Sequence, residues 1–184
     1  MLFYDFVLNI QRYHVHPKYN PNGFDINSKS RIISDIGLIR LDSKSNFTAA
    51  SLGQQDPKPD TVAYVIGWGE TAATEKSSSD LRYTTVEITP PEECSGFKPK
   101  DFFDQDTSIC AASYGTWAQG KTASACSGDS GGPLVNMRAS GEVLGVVSYS
   151  ILPQSTSKCG EFSHTVFTSV SQHRKWIESV VSSS

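Results

Sequence analysis

Charge of one sign, long apolar runs and cysteines at metal-ligating spacing are all missing from this sequence, and each absence excludes something. The 16 Lys and Arg against 19 Asp and Glu leave a formal net charge of −3, and the basic residues are scattered. That pattern offers no electrostatic basis for binding nucleic acid or an anionic membrane surface. No apolar run approaches the roughly 20 residues that a helix needs to cross a bilayer. The opening Met1-Leu2-Phe3-Tyr4-Asp5-Phe6-Val7-Leu8 has no basic leader and no small-residue cleavage site, so it reads as an alternating strand and not as a secretion signal. Only four cysteines occur, Cys94, Cys110, Cys126 and Cys159, none in a CxxC pair, beside only four histidines. No zinc site is expected from them, and no motif asks for a cofactor.

Glycine and proline, by contrast, are frequent, 14 and 9 of 184 residues. Set between Val, Ile, Thr, Tyr and Phe, they punctuate an all-β chain with a helical tail. Strands are expected over Phe3 to Val15, Ile32 to Asp42 (buried), Thr61 to Ile66, Leu81 to Ile88 and Ser108 to Ala111. A hairpin around Ala139-Ser140-Gly141 is expected within Val135 to Val147. A short helix is expected near Pro90-Pro91-Glu92-Glu93-Cys94. From Ser171 to Val181, Trp176, Ile177, Val180 and Val181 fall at helical spacing, behind Ser169-x-x-Gln172 as a capping box. Asn46 to Asp60, rich in Ser, Gln and Pro, reads as a connector. An even cysteine count and the glycosylation sequon Asn46-Phe47-Thr48 suggest an oxidising, extracellular setting. With no leader present, the natural beginning is expected to lie upstream of Met1.

One stretch carries chemistry. In Ala125-Cys126-Ser127-Gly128-Asp129-Ser130-Gly131-Gly132-Pro133-Leu134, a serine stands between glycines and behind an aspartate. Glycines allow the left-handed turns that side chains resist. Such a turn lifts a hydroxyl clear of the surface and gathers the N–H groups of Gly128 and Ser130 in one small space, as an oxyanion hole requires. Composition alone would pass the segment as an ordinary turn. Asp35 is the second unusual residue, because a carboxylate at the head of an apolar strand needs a partner or a route to water. The third is Trp68, set between Gly67 and Gly69.

Gly128-Asp129-Ser130-Gly131-Gly132-Pro133-Leu134 resembles the nucleophile loop of the chymotrypsin/trypsin family of serine proteases. Ser34-Asp35-Ile36-Gly37-Leu38-Ile39 is similar to the segment that supplies that family's triad aspartate, and Gly67-Trp68-Gly69 to the start of its second barrel. The resemblance implies an all-β, chymotrypsin-like double six-stranded β-barrel with a C-terminal helix, its first barrel incomplete. Residues 1–52 would be the remnant of the first barrel and 53–184 the second barrel plus helix, together one peptidase domain. It implies hydrolysis of peptide bonds through an acyl-enzyme, with Ser130 as nucleophile, Asp35 as orienting acid and the Gly128 and Ser130 amides as oxyanion hole. Protein or peptide substrates, protein inhibitors as further partners, and a secreted monomer follow from the same resemblance. So does the pairing of Cys94 with Cys110 and of Cys126 with Cys159, where the sequence alone leaves three arrangements open.

The same comparison marks what is not there. No histidine resembling the family's Ala-Ala-His-Cys motif precedes Asp35. His14 and His16 share one strand face, His164 falls in the rear wall of the substrate pocket and His173 on the last helix. All four are read as structural or solvent-facing, so this chain by itself is expected to lack useful protease activity. Asp129 matches the acid that receives a cleaved N-terminal ammonium, and Met1-Leu2-Phe3 is not such a terminus. An unpaired carboxylate and a poorly formed oxyanion loop are the consequence expected of that. For specificity, Ser124 is neutral where trypsin-like members carry an acid six residues before the serine. Ser148-Tyr149-Ser150 is similar to the segment that pairs with the substrate backbone, with Ser148 bonded to the aspartate. Ser150 and Thr165 add bulk at pocket walls that are glycine in open-pocket members, which implies small apolar substrate side chains.

Two other readings fit parts of the sequence. A non-catalytic secreted homologue would keep the fold as a binding or inhibitory surface. An α/β-hydrolase would use Gly-x-Ser-x-Gly at 128–132, but it needs a helix after the serine and an acid and a histidine downstream. Pro133, a following strand and only 54 remaining residues argue against that fold.

Overall fold

Six strands of alternating small and β-branched residues close on themselves. The computed structural model describes residues 8–20, 22, 31–71, 76–95, 103–114, 124–136, 138, 141–151 and 164–183. Strands β3 (Val62–Gly67), β4 (Arg82–Ile88), β5 (Ser108–Ser113), β6 (Pro133–Asn136), β7 (Glu142–Ile151) and β8 (His164–Ser169) form a closed antiparallel barrel in the order β3-β4-β5-β8-β7-β6. Every second residue points inward, as a pleated strand requires. Ala63, Val65, Val86, Ile88, Ile109, Ala111, Leu134, Leu144, Val147 and Phe167 thereby fill one buried cluster. Closure also leaves the barrel without an open edge.

A second, two-stranded sheet pairs β1 (Ile10–Val15) with β2 (Gly37–Leu41), His14 lying opposite Leu38. Here the expectations need correction. The strand foreseen from Phe3 begins at Ile10, and residues 1–7 lie outside the described part. The buried strand expected over Ile32 to Asp42 is shorter and mostly exposed. Ile32, Ser34 and Ile36 are buried, whereas Ile39 is 61% exposed and Leu41 38%. The reason is geometric: a pair of strands has two faces, and only one of these lies against the rest of the molecule.

The closing helix α2 (Val170–Ser182) joins the two parts. Ile36 packs with Val170 and Ile177, and Leu38, Val143, Val146 and Trp176 surround them. Ser169 caps α2, its Oγ accepting from the Gln172 N–H at 3.2 Å. The reciprocal arm of the expected capping box is not made. Gln172 Nε2 donates to Asp56 at 2.8 Å, and the Ser169 N–H goes to Thr107 O. Asp56 also accepts from Ser169 and Ser171 Oγ, so the connector is bound to the N-terminus of α2. A short helix α1 (Pro91–Ser95) carries Cys94, disulfide-bonded to Cys110. Among the described residues no helix is long and apolar enough to cross a membrane.

Candidate active site

Asp35 is fixed from three directions. Its carbonyl accepts from Thr168 Oγ1 at 2.9 Å, and its Oδ2 accepts from Ser148 Oγ at 2.7 Å. The next residue, Ile36, is locked into the α2 cluster. Just before it, Ser34 is buried at φ 51°, a left-handed conformation rare outside glycine, and Ile36 N–H closes a tight turn onto Ser34 O. The β7 strand that carries Ser148 thus reaches from the barrel into the two-stranded part and holds the carboxylate there.

Ser130 comes from the other side. The turn runs through Gly128 at φ 92° and Gly131 at φ 81°, both accessible to glycine without strain. Asp129 N–H bonds Cys126 O, Gly132 N–H bonds Asp129 O, and Gly131 N–H bonds Val147 O at 2.9 Å. Among the described residues, the amides of Gly128 and Ser130 have no acceptor. Ser130 itself is exposed. It and Asp35 line one cavity of about 480 Å³, together with His14, Val147 and Ser148.

Asp129 departs from the expectation of an unpaired carboxylate. Its Oδ1 accepts from Gly69 N–H at 2.8 Å and its Oδ2 from Cys126 N–H at 2.9 Å. Two main-chain amides thus hold the carboxylate, and the turn that carries Ser130 is closed by its own main-chain bonds. The glycines of Gly67-Trp68-Gly69 have their cause here. A Cβ on Gly67 would stand 2.1 Å from Asp129 Oδ1, and one on Gly69 2.4 Å from Cγ. Trp68 between them is 56% exposed, so the motif is kept by the carboxylate it surrounds and not by packing of the indole.

His14, read from the sequence as structural or solvent-facing, is half-buried. It shares a face with His16, as their spacing requires, and it is among the residues lining the cavity with Asp35 and Ser130. Its Nε2 is shielded from solvent and makes no hydrogen bond among the described residues, so that nitrogen makes no link to Ser130. His16 packs edge-on against His173 and Trp176 at ring-centroid distances of 5.0 and 4.8 Å. Burial, then the neighbouring His173 and Lys18, hold its pKa below 6.5. His173 is buried on α2 and its Nδ1 lies 2.6 Å from Ser169 O. His164 sits at the start of β8, its Nε2 3.1 Å from Glu93.

The residues proposed to read a substrate divide in two. Ser150 and Thr165 are register partners whose hydroxyls lie 3.4 Å apart, and Ser150 Oγ donates to Ala125 O at 3.1 Å. Ser124 Oγ, next to Ala125 in sequence, is buried and has no hydrogen-bond partner among the described residues. Tyr149 points the other way, into the cluster of Cys94, Phe103, Cys110 and Val166. Burial, with Asp104 adding to it, pushes its phenol well above the usual value. Any contact of Tyr149 with a substrate must therefore use its main chain. Cys126 is disulfide-bonded, and its expected partner Cys159 lies outside the described residues.

The family model described as Trypsin matches residues 5–177. Mast cell protease 2 of Ovis aries is 32% identical over 172 residues, 90% of this chain and 59% of that protein. Glucanase inhibitor protein 3 of Phytophthora infestans is 32% identical over 155 residues, 79% of this chain and 54% of that protein. The chain therefore spans little more than half the length of these relatives. Among solved structures, neuropsin, a serine protease expressed in the limbic system of mouse brain, superimposes with a TM-score of 0.71. That likeness is at 24% identity and covers 95% of this chain and 71% of the other; it concerns the fold.

Proposed function

The chain belongs to the trypsin family of serine proteases, and from that premise we propose that its site is built for acyl transfer from peptide bonds. Ser130 is the nucleophile, Asp35 the acid that orients an imidazole, and the Gly128 and Ser130 amides the donors for the developing oxyanion. The observation that carries this reading is the shared cavity: an exposed serine and a carboxylate already fixed by Ser148 face the same space. Ser124, Ser150 and Thr165 supply hydroxyls and no charge, which favours small uncharged side chains in the substrate over Lys or Arg. Substrates are proteins or peptides met in an extracellular compartment.

A serine hydroxyl needs an adjacent base to attack at neutral pH, and the ring of His14 is not hydrogen-bonded to Ser130 through its shielded Nε2. In related triads the loss of serine or histidine lowers kcat by about 2 × 10⁶. The 184-residue chain by itself is accordingly expected to turn over peptides at no useful rate. The test is labelling by a fluorophosphonate, with peptide turnover measured in parallel, in buffer and with free imidazole added as a soluble base. Slow labelling that imidazole accelerates, and that Ser130→Ala abolishes, supports the reading.

A second reading has one observation in its favour, the likeness to an inhibitor protein. In that case the intact loop is a binding surface, and Ser130 stays unlabelled with or without imidazole.

A further inference from the structure

The sequon Asn46-Phe47-Thr48 plays no part in the site, and the structure gives it a setting. It lies in the connector after β2, where the chain bends at Asn46 and Phe47. All three residues are exposed, Phe47 by 75%. The Asn46 side-chain amide and the Thr48 hydroxyl hold no hydrogen bond among the described residues, whereas the Phe47 N–H bonds Ser45 Oγ at 3.2 Å. Of the six asparagines in the sequence, Asn46 alone is followed by x-Ser or x-Thr. A bulky polar group added there would displace no packed side chain and break no bond that holds the fold.

A separate observation speaks to the compartment. Cys94 and Cys110 form a disulfide, Cys126 is also disulfide-bonded, and no described cysteine is free. Disulfides form and persist where the secretory pathway begins, and the machinery that glycosylates Asn-x-Ser/Thr works in the same lumen.

We propose that Asn46 is an N-glycosylation site of this protein. Its side-chain amide nitrogen attacks the anomeric carbon of a lipid-pyrophosphate-linked oligosaccharide. The carbon–nitrogen bond forms as the bond from that carbon to the pyrophosphate oxygen breaks. The lipid pyrophosphate leaves, and the amide gives up one proton. The sugar then stands beside Phe47 and screens an exposed aromatic ring from other molecules.

The position also fixes what the glycan leaves alone. The connector meets the barrel where Ser51 O accepts from Val143 N–H and Leu52 bridges Val143. Ser148 is five residues further along β7, about 16 Å at 3.3 Å per residue. No residue of 42–52 lines the cavity that holds Asp35 and Ser130. The modified residue is therefore not part of the cavity wall.

The experiment is expression of the whole chain behind a cleavable secretory leader in translation extracts containing microsomes, with the luminal protein recovered so that export need not succeed. The expected result is a slower-migrating form that collapses on treatment with a peptide-N-glycanase, with a heavy-oxygen label left at position 46 when the digestion is run in heavy-oxygen water. Asn46→Gln and Thr48→Ala should each remove that form, while Thr48→Ser keeps it. Both side chains are exposed and hold no hydrogen bond among the described residues, so the unglycosylated variants should match the unglycosylated parent in thermal midpoint. Luminal, protease-protected, disulfide-bonded protein that carries no sugar at Asn46 would overturn the proposal. So would a glycan that persists in Asn46→Gln.

Discussion

Two single residues bear on the shape of the site, and a third on alkaline stability. Ser148 donates to Asp35 at 2.7 Å, and a hydrogen bond to a charged group contributes about 2 kcal/mol. Ser148→Ala should lower the urea midpoint accordingly, and should slow Ser130 labelling in imidazole if Asp35 orients the base. Gly69→Ala is a harsher change, because its Cβ would fall 2.4 Å from the Asp129 carboxyl carbon. It should shift the loop, abolish labelling and leave the far-UV circular dichroism of the barrel intact; unchanged labelling would show that the Asp129 anchor does not set the loop. Tyr149 bears on alkaline stability. Its folded-state pKa is raised by burial, so the folded protein holds this proton more tightly than the unfolded chain. Stability from this group is complete below the unfolded value of about 10 and is lost as pH rises above it. Tyr149→Phe should flatten that alkaline loss in denaturant titrations above pH 10. Ser130, Asp35 and the Gly67-Trp68-Gly69 turn were all legible as a motif. Why Gly67 and Gly69 must be glycines was not, since their contact with Asp129, 62 and 60 residues away, exists only in three dimensions. The place of His14 on the cavity wall was hidden for the same reason.

At the scale of elements, β3, β4 and β5 could be read from their apolar and alternating runs to within two residues, whereas β7 runs four residues past the expected hairpin and β8 was not foreseen as a strand. β2 could not be read so closely. Ile32 to Asp42 is rich in apolar residues, and nothing local distinguishes Ile36, held by α2, from Ile39, left exposed. The helix itself was legible from spacing, but its cap was only half so. Gln172 turns to Asp56, a partner 116 residues distant in sequence. Ser169→Ala removes the cap and should lower stability by about 1 kcal/mol, read as a loss in thermal midpoint. The contact of β1 with α2 through His16 adds an acid-side dependence. Its pKa is lowered, so the unfolded chain takes up the proton first as pH falls. The stability it supports is present above about pH 6.5 and declines below, and His16→Phe should weaken that decline in urea titrations between pH 7 and 5.

For the whole molecule, a closed barrel and a two-strand sheet are joined by α2, by Asp35 with its two hydroxyl partners, and by Arg31 to Asp104 at 3.9 Å. Asp35 and Ser130 are brought together only by that joint, which is why the cavity between them is a property of tertiary structure and not of either motif. The measurement that bears most directly on the account is the rate at which a fluorophosphonate labels Ser130, with and without imidazole, in the wild-type chain and in Asp35→Asn. Positioned general-base catalysis contributes on the order of 10² or more in rate. The account requires slow labelling in buffer, acceleration of that order by imidazole, and most of the acceleration lost in Asp35→Asn. Rapid labelling without any added base, or no response to imidazole at all, would contradict it.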